Sequence, residues 1–235
     1  MFVTMFDEAY ACWGLLLLRT LAQHHPEIPV IVVGIDITEE TSTLCLVANS
    51  STHIWARHVS DYGADRPVLI ANARPLWLRE ILTALDPDWC LFLDADMILR
   101  RRIDSVLALA NEVDAALVFR EGLHKGRVHR RLRVAAGLVF FSRGGYALVD
   151  RWCRMLQRTE KVEDVSPQAW FWEQVCLFDA AEASLDLRLA RIDAKHHLSS
   201  PPFSSSASFW SANVKPHQKL GIFREFQTVL ENSNA

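Results

Sequence analysis

Trp89-Cys90-Leu91-Phe92-Leu93-Asp94-Ala95-Asp96 is the stretch from which the fold is read. An apolar run without polar alternation suits a strand covered on both faces, as in a parallel sheet. The run ends on two aspartates one residue apart. Side chains alternate along a strand, so Asp94 and Asp96 can converge on one point at its end. In open α/β sheets ligands bind outside the carboxyl ends of the strands. Two carboxylates there suit Mn²⁺ or Mg²⁺, which take oxygen ligands and complete their shell with phosphate and water. A cation bridging a diphosphate neutralises the charge that grows on a leaving phosphate. The plainer alternative is that Asp94 caps a turn and Asp96 is solvated. An isolated Asp-x-Asp is common by chance, and the buried strand before it favours a site.

Working upstream, residues 2–6 read as a short buried strand. Residues 7–25 read as a helix with Asp7 as N-cap and Ala11, Leu15, Leu18 and Leu21 at helical spacing. Pro26 and Pro29 stop it, and residues 30–35 are a β-branched run typical of a buried strand. Residues 38–47 predict a second helix capped by Thr38, and residues 53–59 a third strand. Residues 61–67 read as a loop. Residues 74–85 predict a helix with Pro75 in its first turn, where a missing N–H costs nothing.

Downstream, residues 103–113 predict a helix and 115–119 a strand. Residues 121–133 are basic and irregular. Residues 134–142 predict a strand interrupted by Gly137. Helices are expected over 145–157 and 166–183, a strand over 187–192, and a terminal helix over 223–231. The Ser- and Pro-rich residues 196–214 read as loop. Strands alternating with helices predict an α/β fold, with a mostly parallel central sheet and helices on both faces, as a single domain. The change of character after residue 133 suggests a nucleotide-diphosphate-binding half, 1–133, and an acceptor-side half, 134–235.

The chain has 235 residues, 50% of them hydrophobic and 23% charged. That is ordinary globular composition and enough for one substantial core. A formal net charge of −3 gives no global attraction for nucleic acid. Basic residues cluster at Arg100-Arg101-Arg102 and across residues 127–133. Such runs are usually solvated faces, and the functional alternative is attraction of phosphate. The five cysteines are scattered and mostly apolar in context, without a metal or redox spacing. No segment reaches the roughly 18 apolar residues of a membrane span. Acidic Asp7 and Glu8 come before the apolar residues 14–18, unlike a secretory leader. A soluble cytoplasmic protein is expected, and peripheral contact with a membrane is compatible with it.

The chain resembles the GT-A-fold glycosyltransferases, of the nucleotide-diphospho-sugar transferase type that includes the glycogenin-like and related small transferases. The resemblance is carried by residues 2–6 leading into Tyr10, Arg74-Pro75-Leu76-Trp77-Leu78 and Trp89 to Met97. Ala136-Gly137-Leu138-Val139-Phe140 and Trp172-Glu173-Gln174-Val175-Cys176-Leu177 continue the series. It spans most of residues 1–180 and implies a GT-A-like, Rossmann-related sheet. It also implies a metal-dependent transfer of a sugar from a nucleotide diphosphate, a UDP-sugar being favoured, to a carbohydrate, lipid-linked or protein acceptor.

Roles follow from the same resemblance. Thr4, Phe6 and Tyr10 would contact the nucleoside, Arg74 the ribose or phosphates, and Asp94, Ala95 and Asp96 the donor. Asp94 and Asp96 would hold Mn²⁺ or Mg²⁺. Ala136 and Gly137 would lie beside the donor sugar, with Ala135 where the family often has Asn. Gly137 could equally mark a bulge. Glu173 and Gln174 would be the catalytic pair lining the acceptor site. A third metal ligand would be His217, with His196 and His197 as rivals, and Lys219 or Lys215 would meet the diphosphate. The order of residues around His217 departs from the family's C-terminal motif. Trp170, Phe171 and Trp172 read as core or rim rather than as a sugar platform.

Three other readings compete. A haloacid-dehalogenase-like phosphatase also places Asp-x-Asp after a strand, but near the start of the chain. A sugar-nucleotide pyrophosphorylase would need a Gly-rich basic loop after the first strand, where this chain has Asp7-Glu8. A transferase-like scaffold could bind nucleotide without turnover.

Overall fold

The computed structural model describes residues 1–59, 66–119, 134–160, 166, 167, 169–193, 197–212, 214 and 216–233. Seven strands form one mostly parallel sheet: β1 (Phe2–Asp7), β2 (Val30–Ile35), β3 (Thr52–Arg57), β4 (Trp89–Asp94), β6 (Ala115–Phe119), β7 (Val134–Ser142) and β8 (Leu189–Ile192). Their order is β3-β2-β1-β4-β7-β6-β8. A second sheet joins β5 (Met97–Leu99), β9 (Leu198–Ser199) and β10 (Phe209–Ser211) in the order β5-β10-β9. The helices are α1 (Ala11–His24), α2 (Glu39–Ala48), α3 (Arg66–Leu85), α4 (Asp104–Leu107), α5 (Tyr146–Leu156), α6 (Trp172–Glu182) and α7 (Pro216–Ser233).

The chain divides into two compact units. The first is Met1–His58, Leu93–Asp104 and Asp193–Ala235. In it β1 pairs parallel with β2, and β2 with β3, Phe2 lying opposite Val30 and Val30 opposite Thr52. All six residues of β2 are buried, which is why it reads as an unbroken β-branched run. A Cβ at Gly14 would lie 2.3 Å from the Phe6 ring, so glycine lets α1 close onto β1. Asp7 accepts from the Tyr10 amide and caps the 3₁₀ turn Glu8–Tyr10 before α1. Thr38 caps α2 as its sequence predicts. The Glu8 carboxylate takes the same helix end, accepting from the Thr38 amide at 3.0 Å and the Thr41 hydroxyl at 2.7 Å. Those bonds, the Thr41 one foremost, hold its pKa below the usual range. An anion-binding helix start is thus occupied by the protein's own carboxylate.

The second unit is Val59–Phe92 and Ser105–Ile192. β6 pairs antiparallel with β7 and parallel with β8. The β6–β7 register jumps from Leu117↔Val139 to Val118↔Ala135, so residues 136–138 of β7 form a bulge. Gly137 therefore does mark a bulge.

Three expectations need correction. The α3 helix begins at Arg66, so Pro75 and Arg74 lie mid-helix rather than at its start. Pro75 removes one backbone bond there, at a cost of about 3 kcal/mol. Burial of Ala71, Pro75, Leu78, Ile81 and Leu82 offsets it, and the Cys153 thiol donates to the Pro75 carbonyl. The stretch 196–214 contributes β9 and β10, because β10 finds an edge at β5: Phe209 pairs with Leu99 and Ser211 with Met97. The helix expected over 166–183 starts at Trp172, because residues 169–171 are in turns and bends. The loop expected over 121–133 lies outside the described residues, as does most of that over 61–67.

Candidate functional site

The order of the main sheet reverses between β1 and β4, the place where open α/β sheets bind ligands beyond their strands' carboxyl ends. Asp94 is the last residue of β4, Ala95 and Asp96 make a turn, and β5 follows. Ala95 is buried while both aspartates are partly exposed. The turn is tied down by the Ala212 amide, which donates to the Asp96 carbonyl at 2.8 Å.

α7 packs Phe226 and Leu230 into a cluster with Trp13, Leu16, Ile98, Ala207, Trp210 and Ala212. That anchorage places Lys219. Its Nζ donates to Asp96 Oδ2 and to the Tyr10 hydroxyl, each at 3.0 Å. It also lies 4.6 Å from the centre of the Tyr10 ring and 5.8 Å from that of Trp13. Burial alone would lower the Lys219 pKa. The Asp96 charge and the bonds to Tyr10 and Asp96 outweigh it, and the pKa is raised. Thr4 and Phe6 are fully buried or nearly so within β1. The Thr4 hydroxyl has no hydrogen-bond partner among the described residues.

The chemistry of the aspartate pair fits a divalent cation. Its oxygens are hard donors, Asp96 already holds an ammonium at 3.0 Å, and Mg²⁺ commonly needs no more than one or two carboxylates beside phosphate and water. Among the described residues no group of three or more His, Cys, Asp or Glu side chains is placed to hold a metal. The His217 side chain, His196 and Lys215 lie outside the described residues. His197 makes a 3.3 Å hydrogen bond with Ser208.

In the second unit Arg74, Ala136, Glu173 and Gln174 come together. Arg74 Nη1 stands 3.6 Å from Glu173 Oε1 and donates to the Ala136 carbonyl at 3.4 Å. Its guanidinium lies 5.0 Å from the centre of the Phe92 ring. Ala136 is the first residue of the β7 bulge. Glu173 is 1% exposed. Its amide donates to Asn72 Oδ1 at 3.2 Å and its carbonyl accepts from Trp152 Nε1 at 2.6 Å. The Gln174 amide donates to Glu173 Oε1 at 3.4 Å and is itself only partly buried. Beside them Trp172 is buried and Trp170 is 50% exposed. Sequence reasoning missed Asn72, Trp13 and the link between Tyr10 and Lys219, because none of these partners is local.

Each arginine of the 100–102 run is committed within the protein. Arg100 lies 4.3 Å from the centre of the Trp210 ring, and Arg101 donates to the Ser205 carbonyl. Arg102 holds Glu27 at 2.9 Å, Asp104 at 3.0 Å and the His24 carbonyl at 2.7 Å. The run is structural. Residues 127–133 lie outside the described residues. No helix among the described residues is long and apolar enough to cross a membrane.

No family model matches the chain, and no curated protein resembles it in sequence. Solved structures do share its fold, which is the GT-A-like fold of nucleotide-sugar transferases. An active-site mutant of LgtC superposes with a TM-score of 0.67 at 10% identity, over 97% of this chain and 95% of that one. The galactosyltransferase LgtC with donor and acceptor sugar analogues gives 0.62 at 12% identity, over 98% and 95%. The glycosyltransferase GlyE of Streptococcus pneumoniae TIGR4 gives 0.64 at 14% identity, over 98% of this chain and 62% of that one. The phosphatase reading gains nothing from these likenesses.

Proposed function

We propose that the protein is a glycosyltransferase that moves a sugar from a nucleotide diphosphate, with a UDP-sugar favoured, to a carbohydrate, lipid-linked or protein acceptor. The observation that carries this is the Asp94-Ala95-Asp96 turn at the point where the GT-A-like sheet reverses its strand order, with a cationic Lys219 on Asp96. Residues 1–133 take the donor side, 134–235 the acceptor side, and Lys219 returns to the donor.

Asp94 and Asp96 would hold Mn²⁺ or Mg²⁺, which when bound neutralises charge on the leaving diphosphate. Lys219 adds a mobile positive charge beside it. Tyr10 keeps that ammonium near the turn. Glu173 acts as a positioning group: it pairs with Arg74 and orients the Gln174 amide toward the acceptor side. Gln174, not the buried Glu173 carboxylate, then touches substrate. Thr4 and Phe6 support the end of β1, where the nucleoside would lie. Transfer breaks the bond between the anomeric carbon and the diphosphate oxygen and forms one to an acceptor hydroxyl, whose proton leaves to base or solvent.

A panel of sugar nucleotides assayed for hydrolysis, with Mn²⁺ and with EDTA, tests this without an acceptor. Metal-dependent release of a nucleoside diphosphate from one donor is the expected result. Calorimetry with UDP and GDP completes it: binding that ignores EDTA and survives Asp96→Ala would sink the reading, as would release of inorganic phosphate from simple phosphomonoesters.

A further inference from the structure

The Lys219 side chain does something a structural tether does not need. Its ammonium sits on the carboxylate of Asp96, one of the two groups that the proposed donor site offers to a divalent cation. Both side chains are sheltered, Lys219 at 23% exposure and Asp96 at 17%. The ammonium is also backed by the Tyr10 hydroxyl and by the Tyr10 and Trp13 rings. A carboxylate carrying an ammonium at 3.0 Å is a weakened ligand for a dication, since the two positive charges repel across a few ångströms of poorly screened space.

The surroundings are divided between what is fixed and what can move. The turn is fixed by the Ala212–Asp96 backbone bond, and α7 by its buried Phe226 and Leu230. Lys219 itself stands one turn into α7 on a flexible four-carbon stem. Leu220 beside it is 61% exposed, and nothing lies within 4 Å of a Cβ built on Gly221. The ammonium can therefore leave Asp96 without disturbing the helix. Leaving is unfavourable until another anion takes the carboxylate's place, and a diphosphate arriving with its cation is such an anion.

We propose that Lys219 is a resident counter-ion that gates Asp96: a divalent cation gains this carboxylate only by displacing the ammonium, and the displaced ammonium is paired again by the donor's diphosphate, so that cation and nucleotide bind cooperatively. This rests on the reading of Asp94 and Asp96 as the donor's cation site. Without nucleotide, Asp96 keeps its lysine and the protein holds free metal poorly. With nucleotide, both positive charges find partners. Affinity for each ligand is raised by the other to the same factor, as linkage requires.

The test is Mn²⁺ binding, followed by the electron paramagnetic resonance signal of free Mn²⁺, in the presence and absence of UDP. Wild type is expected to bind Mn²⁺ weakly alone and about tenfold or more tightly with UDP. In Lys219→Met, Mn²⁺ alone is expected to bind about tenfold more tightly than in wild type, and most of the UDP enhancement disappears. Lys219→Gln, which keeps a hydrogen-bond donor and removes the charge, gives the same result and serves if the Met variant is unstable. Mn²⁺ binding that Asp96→Asn abolishes, but that neither Lys219 variant tightens, overturns the gate and leaves the cation site standing. Mn²⁺ binding that is absent even with UDP, or that is indifferent to Asp96→Asn, overturns both this inference and the donor-site reading beneath it.

Discussion

The Lys219–Asp96 pair closes at 3.0 Å with side chains 23% and 17% exposed, whereas Arg74–Glu173 stands at 3.6 Å with side chains 13% and 1% exposed. Both are cation–carboxylate pairs, but the first joins a flexible point charge to a carboxylate on a turn. The second joins a planar guanidinium, also bonded to Ala136, to a carboxylate whose backbone is held by Asn72 and Trp152. A lysine can exchange partners at little cost, and a buried arginine–glutamate pair cannot, because its carboxylate has no water to fall back on. The contrast is one between a group that the proposed gate requires to move and a group proposed to position its neighbour, Gln174.

The contrast can be broken in several places. The largest effect is expected from Asp96→Asn, which should cut sugar-nucleotide hydrolysis about a thousandfold with the fold intact by circular dichroism. EDTA should mimic it, and added Mn²⁺ should restore activity in wild type alone. Next comes Arg74→Met, which strands the buried Glu173 charge and should cost about 3–5 kcal/mol in urea denaturation. Arg74→Met/Glu173→Gln should recover a good part of that loss. A single-variant cost below about 1 kcal/mol would show the pair to be no more rigid than a surface one. Lys219→Met should cost about 1 kcal/mol or less, since the aspartate it leaves can be reached by water.

The smallest effect belongs to an exposed reference pair, Asp114–Arg188, in which Arg188 is 64% exposed. The Arg188 side chain and amide hold the Asp114 carboxyl below its usual range. A depressed pKa means the stabilisation is present above the unfolded value, near 3.9, and fades as pH falls through the lower folded value. Asp114→Asn should therefore cost up to about 1 kcal/mol at pH 7, with the difference from wild type shrinking on acidification in urea titrations. A difference that grew in acid would refute the assignment.

Much of the sheet was legible because its strands announce themselves locally. β2 is a β-branched run, β4 an apolar run ending on aspartates, β6 is similarly continuous, and β7 is an apolar run broken only at Gly137. The cap at Thr38 was legible for the same reason, whereas Asp7, read as the cap of the first helix, caps the 3₁₀ turn before it. What stayed hidden depends on distant partners. β10 is three residues among serines and exists because β5 lies ready to pair with it. Pro75 looks like a helix start, and burial along α3 overrides that. Glu173 looks like an exposed first-turn residue until Arg74, 99 positions earlier in the numbering, is set against it. At the candidate site, the place of the aspartates at the end of β4 was legible from the apolar run before them, while Lys219 was visible as a candidate lysine without its Asp96, Tyr10 and Trp13 surroundings.

The 123-residue separation between Asp96 and Lys219 sets an order in time. At synthesis rates of roughly 5–20 residues per second, Asp96 is made roughly 6–25 seconds before its lysine exists. Within that interval β4 can pair with β1, β5 waits for β10, and the Asp96 carboxylate is without its lysine. The turn is thus built well before the lysine that will rest on it, and α7 brings that lysine last.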